Sequence, residues 1–127
     1  MKKFTIVFVL AVFVVLLMNS CYFDNEEDLY PALPNCDTLD IKYSLDVVPI
    51  FDSFCFACHG DLNYASLGSG IRLEGYENTM ILVNSGVLLN SIEHNGQASF
   101  MPKNSGKLAE CNIAIIRNWI NQGALNN

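Results

Sequence analysis

Basic residues are scarce in this chain. Over 127 residues there are 7 Lys and Arg against 13 Asp and Glu, a net charge of −6 at pH 7. A surface of that sign has no electrostatic hold on a phosphate backbone, which excludes nucleic acid as a partner. A phosphate-binding loop is missing as well. The glycine-punctuated stretch from Leu67 to Tyr76 contains no Gly-Lys-Ser/Thr and has no strand–helix context. Nor is there a clear membrane span. The one long apolar run, Phe4 to Met18, is interrupted only by Thr5 and is slightly short for a spanning helix. It is followed by a cysteine rather than a basic stop-transfer cluster. The length leaves room for one domain.

What the first residues do contain is an export signal. Met1-Lys2-Lys3 is a short basic region, the apolar run follows, and Asn19-Ser20-Cys21 closes it, so residues 1–20 are expected to be removed. Leu17 to Cys21 resembles a lipobox, in which the cysteine is lipidated and becomes the mature N-terminus. Cys21 would then hold the protein to a bacterial membrane, on the periplasmic side, by acyl chains. Without Lys2 and Lys3, residues 21–127 keep 5 basic against 13 acidic residues, a net −8. Such a surface favours a partner with a positively charged face, in encounters that weaken with salt. Residues 21–35 carry an acidic cluster, Pro31 and Pro34, with no period of 2 or 3.6. They read as a flexible acidic tether. The folded domain is then 36–127, small for a core built from protein alone.

At the centre of that domain stands Cys55-Phe56-Ala57-Cys58-His59. Two cysteines separated by two residues, with histidine directly after, form the attachment signature of a c-type haem. Thiols at i and i+3 of a helical turn face one side, where both can add to the vinyl groups on one porphyrin edge. His59 is thereby carried under the ring, where its imidazole can bind the iron. A covalent apolar macrocycle would also supply much of the buried area that so small a domain lacks. The remaining cysteines fit this division of roles. With Cys21 lipidated and Cys55 and Cys58 on haem, Cys36 and Cys111 are left in an exported, oxidising setting and are expected to form a disulfide.

The segments around the motif read as helices. Asp46 to Cys55 has Asp46 as N-cap, Pro49 in the first turn and Ile50, Phe51 and Phe54 on one face, with Gly60 as C-cap beyond. Short helices are expected over 77–84 and 87–94, and a last one over 109–122 with Ile115, Ile116, Trp119 and Ile120 as its apolar stripe and Gly123 beyond it. Arg72, in the glycine-rich loop, is a candidate partner for a haem propionate. Two residues compete for the sixth iron position. His94 is one, although it reads first as a surface residue at a helix end. Met101, in Phe100-Met101-Pro102, is the stronger, because the proline constrains the chain around the thioether.

The motif, the Met-Pro, Tyr43-Ser44, Val48-Pro49-Ile50, Gly70-Ile71-Arg72-Leu73, Ser91-Ile92-x-His94 and Ile116-x-x-Trp119-Ile120 together resemble a class I monohaem cytochrome c. More narrowly, the chain is similar to the small cytochrome-c-like lipoproteins of Bacteroidetes-type bacteria. The resemblance implies an all-α fold of three to five helices around one covalent haem c, with the N- and C-terminal helices crossing. It implies covalent haem at Cys55 and Cys58, His59 and Met101 as axial ligands, and a periplasmic electron carrier serving a redox partner protein rather than an enzyme. Ala109 departs from the capping Ser or Thr often found there. Two other readings stand beside this one: a haem module of a redox enzyme or small-ligand sensor with a labile sixth position, and a haem-free thiol or zinc module using Cys55, Cys58, His59 and His94.

Overall fold

The first helix starts earlier than its sequence pattern suggests. The computed structural model describes residues 36–127, so the export signal, Cys21 and the tether lie outside the described residues. A wide, π-helical turn runs Tyr43–Val47 and continues directly into α1, Val48–Phe54. Asp46 is not the N-cap. It lies within the first turn, and its Oδ2 accepts a hydrogen bond from the N–H of Lys42 at 2.7 Å. The carboxylate thus reaches back over the helix start, where orphan N–H groups and the helix dipole both favour it. Asn127 satisfies two more of these donors: its side-chain oxygen accepts from Tyr43 N at 2.8 Å and its backbone oxygen from Ser44 N at 2.9 Å. Pro49 falls in the first turn of α1, where its missing N–H costs nothing.

Three further helices follow a one-turn segment. α2 is Phe56–His59, α3 is Tyr76–Asn84, α4 is Val87–Glu93 and α5 is Glu110–Asn121. All regular structure among the described residues is helical, with no strand. None of these helices is long and apolar enough to cross a membrane. Gly60 differs from expectation. Its φ and ψ are −76° and 167°, an extended conformation open to any residue, so it is not a left-handed cap. It is confined by space instead, since a Cβ there would lie 2.6 Å from the carbonyl oxygen of Phe56. Gly123 does take the left-handed conformation at φ 99°, and its N–H bonds to the Ile120 carbonyl at the end of α5.

The core forms where the start of the first helix meets α5. Ile113, Ile116 and Trp119, at helical spacing, are fully buried, as are Val47 and Phe51. The Trp119 ring stacks on Tyr43 at 5.2 Å, and Tyr76 meets Tyr43 edge-on at 5.3 Å. The polar atoms of this cluster are all paired. Trp119 Nε1 donates to the Leu125 carbonyl at 2.9 Å, Tyr76 Oη to that of Ala124 at 2.8 Å, and Thr79 Oγ1 to that of Leu73 at 2.9 Å. Burying polar groups with partners avoids the desolvation penalty of leaving them unmade. The half-buried pair Arg117–Glu93, with Nη2 to Oε1 at 2.7 Å, ties α5 to α4. Cys36 and Cys111 are joined by a disulfide with Cα atoms 5.6 Å apart, which fastens the start of the described chain to the first turn of α5. That turn has no side-chain cap: Ala109 supplies none, and Lys107 pairs with Glu110 at 2.8 Å instead.

Candidate cofactor site

The helix breaks at Cys55, and the break shapes the motif. Cys55 takes φ −124° and ψ −42° between α1 and α2, and its carbonyl accepts both the Cys58 N–H at 3.1 Å and the His59 N–H at 2.8 Å. The single turn of α2 therefore closes on Cys55 itself, which puts the two cysteines and the histidine on one compact backbone unit. Both thiols are free. Cys58 is exposed. Cys55 is half-buried, and burial pushes its thiol up to about 12. A thiol-exchange site needs the opposite, a thiol shifted down so that thiolate is present at neutral pH. In the haem-free chain at pH 8, Cys55 should react with iodoacetamide on the order of a hundredfold more slowly than cysteine in an unfolded peptide, after allowance for the greater reactivity of a more basic thiolate. Because the thiol is shifted upward, its rate should keep climbing with pH towards about 12. Mass spectrometry of timed reactions reads this, and a rate equal to the peptide's would show that Cys55 is not buried.

His59 is held by the loop that follows. Its Nδ1 lies 2.9 Å from the carbonyl oxygen of Ile71. A carbonyl only accepts, so Nδ1 carries a proton, and in the neutral imidazole the lone pair lies on Nε2. The His59 carbonyl in turn accepts from Leu73 N at 2.9 Å. Gly68 makes this close wrapping feasible. A Cβ there would sit 2.7 Å from the Cys58 oxygen, 2.8 Å from the Tyr64 oxygen and 2.9 Å from His59 Nδ1. Asn63 Nδ2 reaches back to the Ala57 carbonyl at 3.1 Å. Arg72, the candidate propionate partner, commits Nε and Nη2 to Asp61 at 2.6 and 2.7 Å, with its guanidinium 5.8 Å from the centre of the Tyr64 ring. The hydrogen bonds from Arg72 hold the Asp61 carboxyl below the usual range. Asp61 N also donates to Glu74 Oε2 at 2.7 Å, so the loop is fastened at both ends.

Met101 belongs to a second cluster. Its N–H donates to the buried Ser91's carbonyl at 3.1 Å, and its own carbonyl lies 2.9 Å from His94 Nε2. The His94 ring stacks on Phe100 at 4.6 Å and 9°. His94 caps α4 in the left-handed conformation at φ 58°. The two clusters share no hydrogen bond among the described residues.

The Cys55–His59 turn carries donors of the kind a c-type haem takes, an imidazole oriented by a backbone carbonyl and two thiols in one turn, while the Met101 thioether belongs to the other cluster. The glycine pressed against the imidazole is part of the same fit. A zinc site is a poorer match, because no three His, Cys, Asp or Glu side chains converge to hold a metal ion among the described residues. Sequence reasoning missed Asp61 as the partner of Arg72, Gly68 as the residue packed on His59, and the carbonyl of Ile71. Only the Gly68 spacing, within a glycine-rich loop shortly after the motif, offered any signal. No protein-family model, curated protein or solved structure matches this chain.

Proposed function

We propose that this chain is a monohaem c-type cytochrome that carries single electrons and makes or breaks no substrate bond. One observation carries the reading: the 2.9 Å hydrogen bond between His59 Nδ1 and the Ile71 carbonyl, directly after a CxxC turn. It fixes the tautomer and the ring orientation in the way that ligating histidines need, with Nε2 presented as a base. When bound, haem c supplies a one-electron iron couple. The protein's part is to hold it. Cys55 and Cys58 would attach the ring through their thiols, and His59 and Met101 would bind the iron. Gly68 and the Asp61–Arg72 pair keep the loop pressed on the histidine.

The fold proposed is the small cytochrome c fold, and the packing of Tyr43 on Trp119, which brings the first and last helices together, supports it. Thioether ligation on a closed face favours electron transfer over small-ligand chemistry. His94 is a weaker ligand candidate, since its Nε2 is already engaged with the Met101 carbonyl. The high thiol of Cys55 speaks against thiol exchange. We place the mature protein on the periplasmic side of a bacterial membrane, held by lipid on Cys21. Its net charge of −8 over residues 21–127 suits a redox partner with a positive face.

The test is expression with a c-haem maturation system, followed by extraction with acidified acetone. Haem should stay with the polypeptide, and haem that extracts freely would overturn the reading. Met101→Ala should abolish the weak charge-transfer band of a Met-ligated ferric haem. If that band survives, Met101 is not the ligand. Rapid carbon monoxide binding by the reduced wild type would favour the sensor reading instead.

A further inference from the structure

His94 is half-buried and reads first as a helix-end residue, yet one ring nitrogen and the ring face are both engaged. It is the first residue after α4 and sits at φ 58°, a conformation that residues with a Cβ rarely adopt. That backbone turn swings the imidazole away from the helix and over the loop of residues 95–107. There it does two things at once. Nε2 donates to the Met101 carbonyl at 2.9 Å, and the ring face lies flat on Phe100, the residue before Met101. The other side of the Met101 backbone is also held, through its N–H to the Ser91 carbonyl at 3.1 Å. Both hydrogen-bonding groups of residue 101 thus end on the last turn and cap of α4. The helix in turn is anchored, since Glu93, directly before His94, pairs with Arg117 of α5.

We infer that His94 is a positioning residue for the sixth iron ligand: it clamps the Met101 backbone so that the thioether is presented to the haem, and in doing so keeps its own imidazole off the iron. This rests on the function proposed above. Its physical content is a choice between two donors seven residues apart. A histidine free to turn would be a strong iron ligand. A histidine whose Nε2–H is bonded to a carbonyl presents no lone pair at that atom. The contact that fixes Met101 therefore also withholds Nε2 of its competitor, and the stack on Phe100 holds the rest of that ring in place. A hydrogen bond of this kind, with the ring stacking beside it, corresponds to roughly a tenfold bias in the population of the closed loop.

The experiment uses the full haem-loaded chain as wild type, His94→Gly, His94→Asn and His94→Gln. Glycine and asparagine both accept the left-handed backbone, so they remove the clamp without straining the cap, and asparagine is too short to reach Met101. Glutamine can bring an amide N–H to about the position of Nε2. Cyanide binding to the oxidised protein should be about tenfold faster in the Gly and Asn variants and return towards wild type in the Gln variant. The Met charge-transfer band should bleach at lower temperature in the same two variants, and the Met101 amide should exchange about tenfold faster with deuterium. Wild-type cyanide rates and wild-type Met101 exchange in both Gly and Asn variants would overturn the inference. A wild type that lacks the Met band would instead sink the proposed function, while amide exchange at Met101 in the same protein would still report on the clamp. If one variant fails to fold, the other decides.

Discussion

Replacing Cys36 and Cys111 together by alanine should lower the unfolding free energy by about 4 kcal/mol. The bond closes a loop of 75 residues in sequence separation, and the chain entropy removed from the unfolded state grows with that length. Only about 90 residues make up the domain, and the whole stability of such a domain is of order 5–15 kcal/mol. One crosslink therefore accounts for a large share. Urea unfolding of the double variant, compared with wild type, reads the loss directly. Because the effect lies largely in the unfolded state, the denaturant dependence should steepen as the unlinked chain expands. A loss below about 1 kcal/mol would mean that the unfolded chain is already constrained by other means, the attached haem included.

Gly68→Ala should damage the site although it removes no donor from it. The added methyl would lie 2.7 and 2.8 Å from two backbone carbonyl oxygens and 2.9 Å from His59 Nδ1. Backbone atoms cannot swing aside as a long side chain can, so the loop must lift off the Cys55–His59 turn. Overpacking of this kind costs about 1–3 kcal/mol. The backbone of Gly68 is in a region open to any residue, since it is not among the glycines at positive φ, so the cost arises from contact alone. Lifting the loop also pulls the Ile71 carbonyl away from His59. In the haem-loaded protein this should appear as a lowered midpoint potential or a mixed axial spectrum, beyond what the loss of stability explains. Gly106→Ala is the matched control, because a Cβ there meets nothing within 4 Å. If Gly68→Ala and Gly106→Ala behave alike, close approach is not what the glycine provides.

Some of this molecule could be read from the residues themselves. The last helix is legible in the spacing of Ile115, Ile116, Trp119 and Ile120, but the face it buries is Ile113, Ile116 and Trp119, with Ile115 and Ile120 only partly buried against the core. The CxxCH turn is legible for the same reason: its chemistry lies in side chains at a fixed spacing. What could not be read lies in backbone groups and in loop geometry. The acceptor for His59 is the carbonyl of Ile71, twelve residues on, and every residue type carries a carbonyl. Asp46 looked like an N-cap because a carboxylate before an apolar period usually is one. The chain instead begins its helix four residues earlier, with Lys42 in place of Asp46 as N-cap, and uses the same carboxylate from inside a wide first turn. Gly60 followed a short helix and so resembled a left-handed stop, yet what matters there is the 2.6 Å approach of the Phe56 carbonyl, a crowding set by the fold. His94 reads first as a surface residue at a helix end and only second as an iron ligand. Its engagement with Met101 depends on how a loop of irregular backbone returns to its own helix, which no periodicity encodes.

The disulfide also decides where mechanical tension travels. A pull on the chain ahead of Cys36 passes through the sulfur bridge to Cys111 and enters α5 at its first turn. The 75-residue span between them, which holds the Cys55–His59 turn and the Met101 loop, lies off that covalent path. Stretching the molecule between residue 36 and its C-terminal end would unravel α5 and then stop, with a contour gain of only some 16 residues, roughly 55 Å of extended chain. With the bridge reduced, the same pull would reach the Cys55–His59 turn and the Met101 loop and could extend more than five times as far. One covalent bond thus sets how far this domain can be drawn out from residue 36.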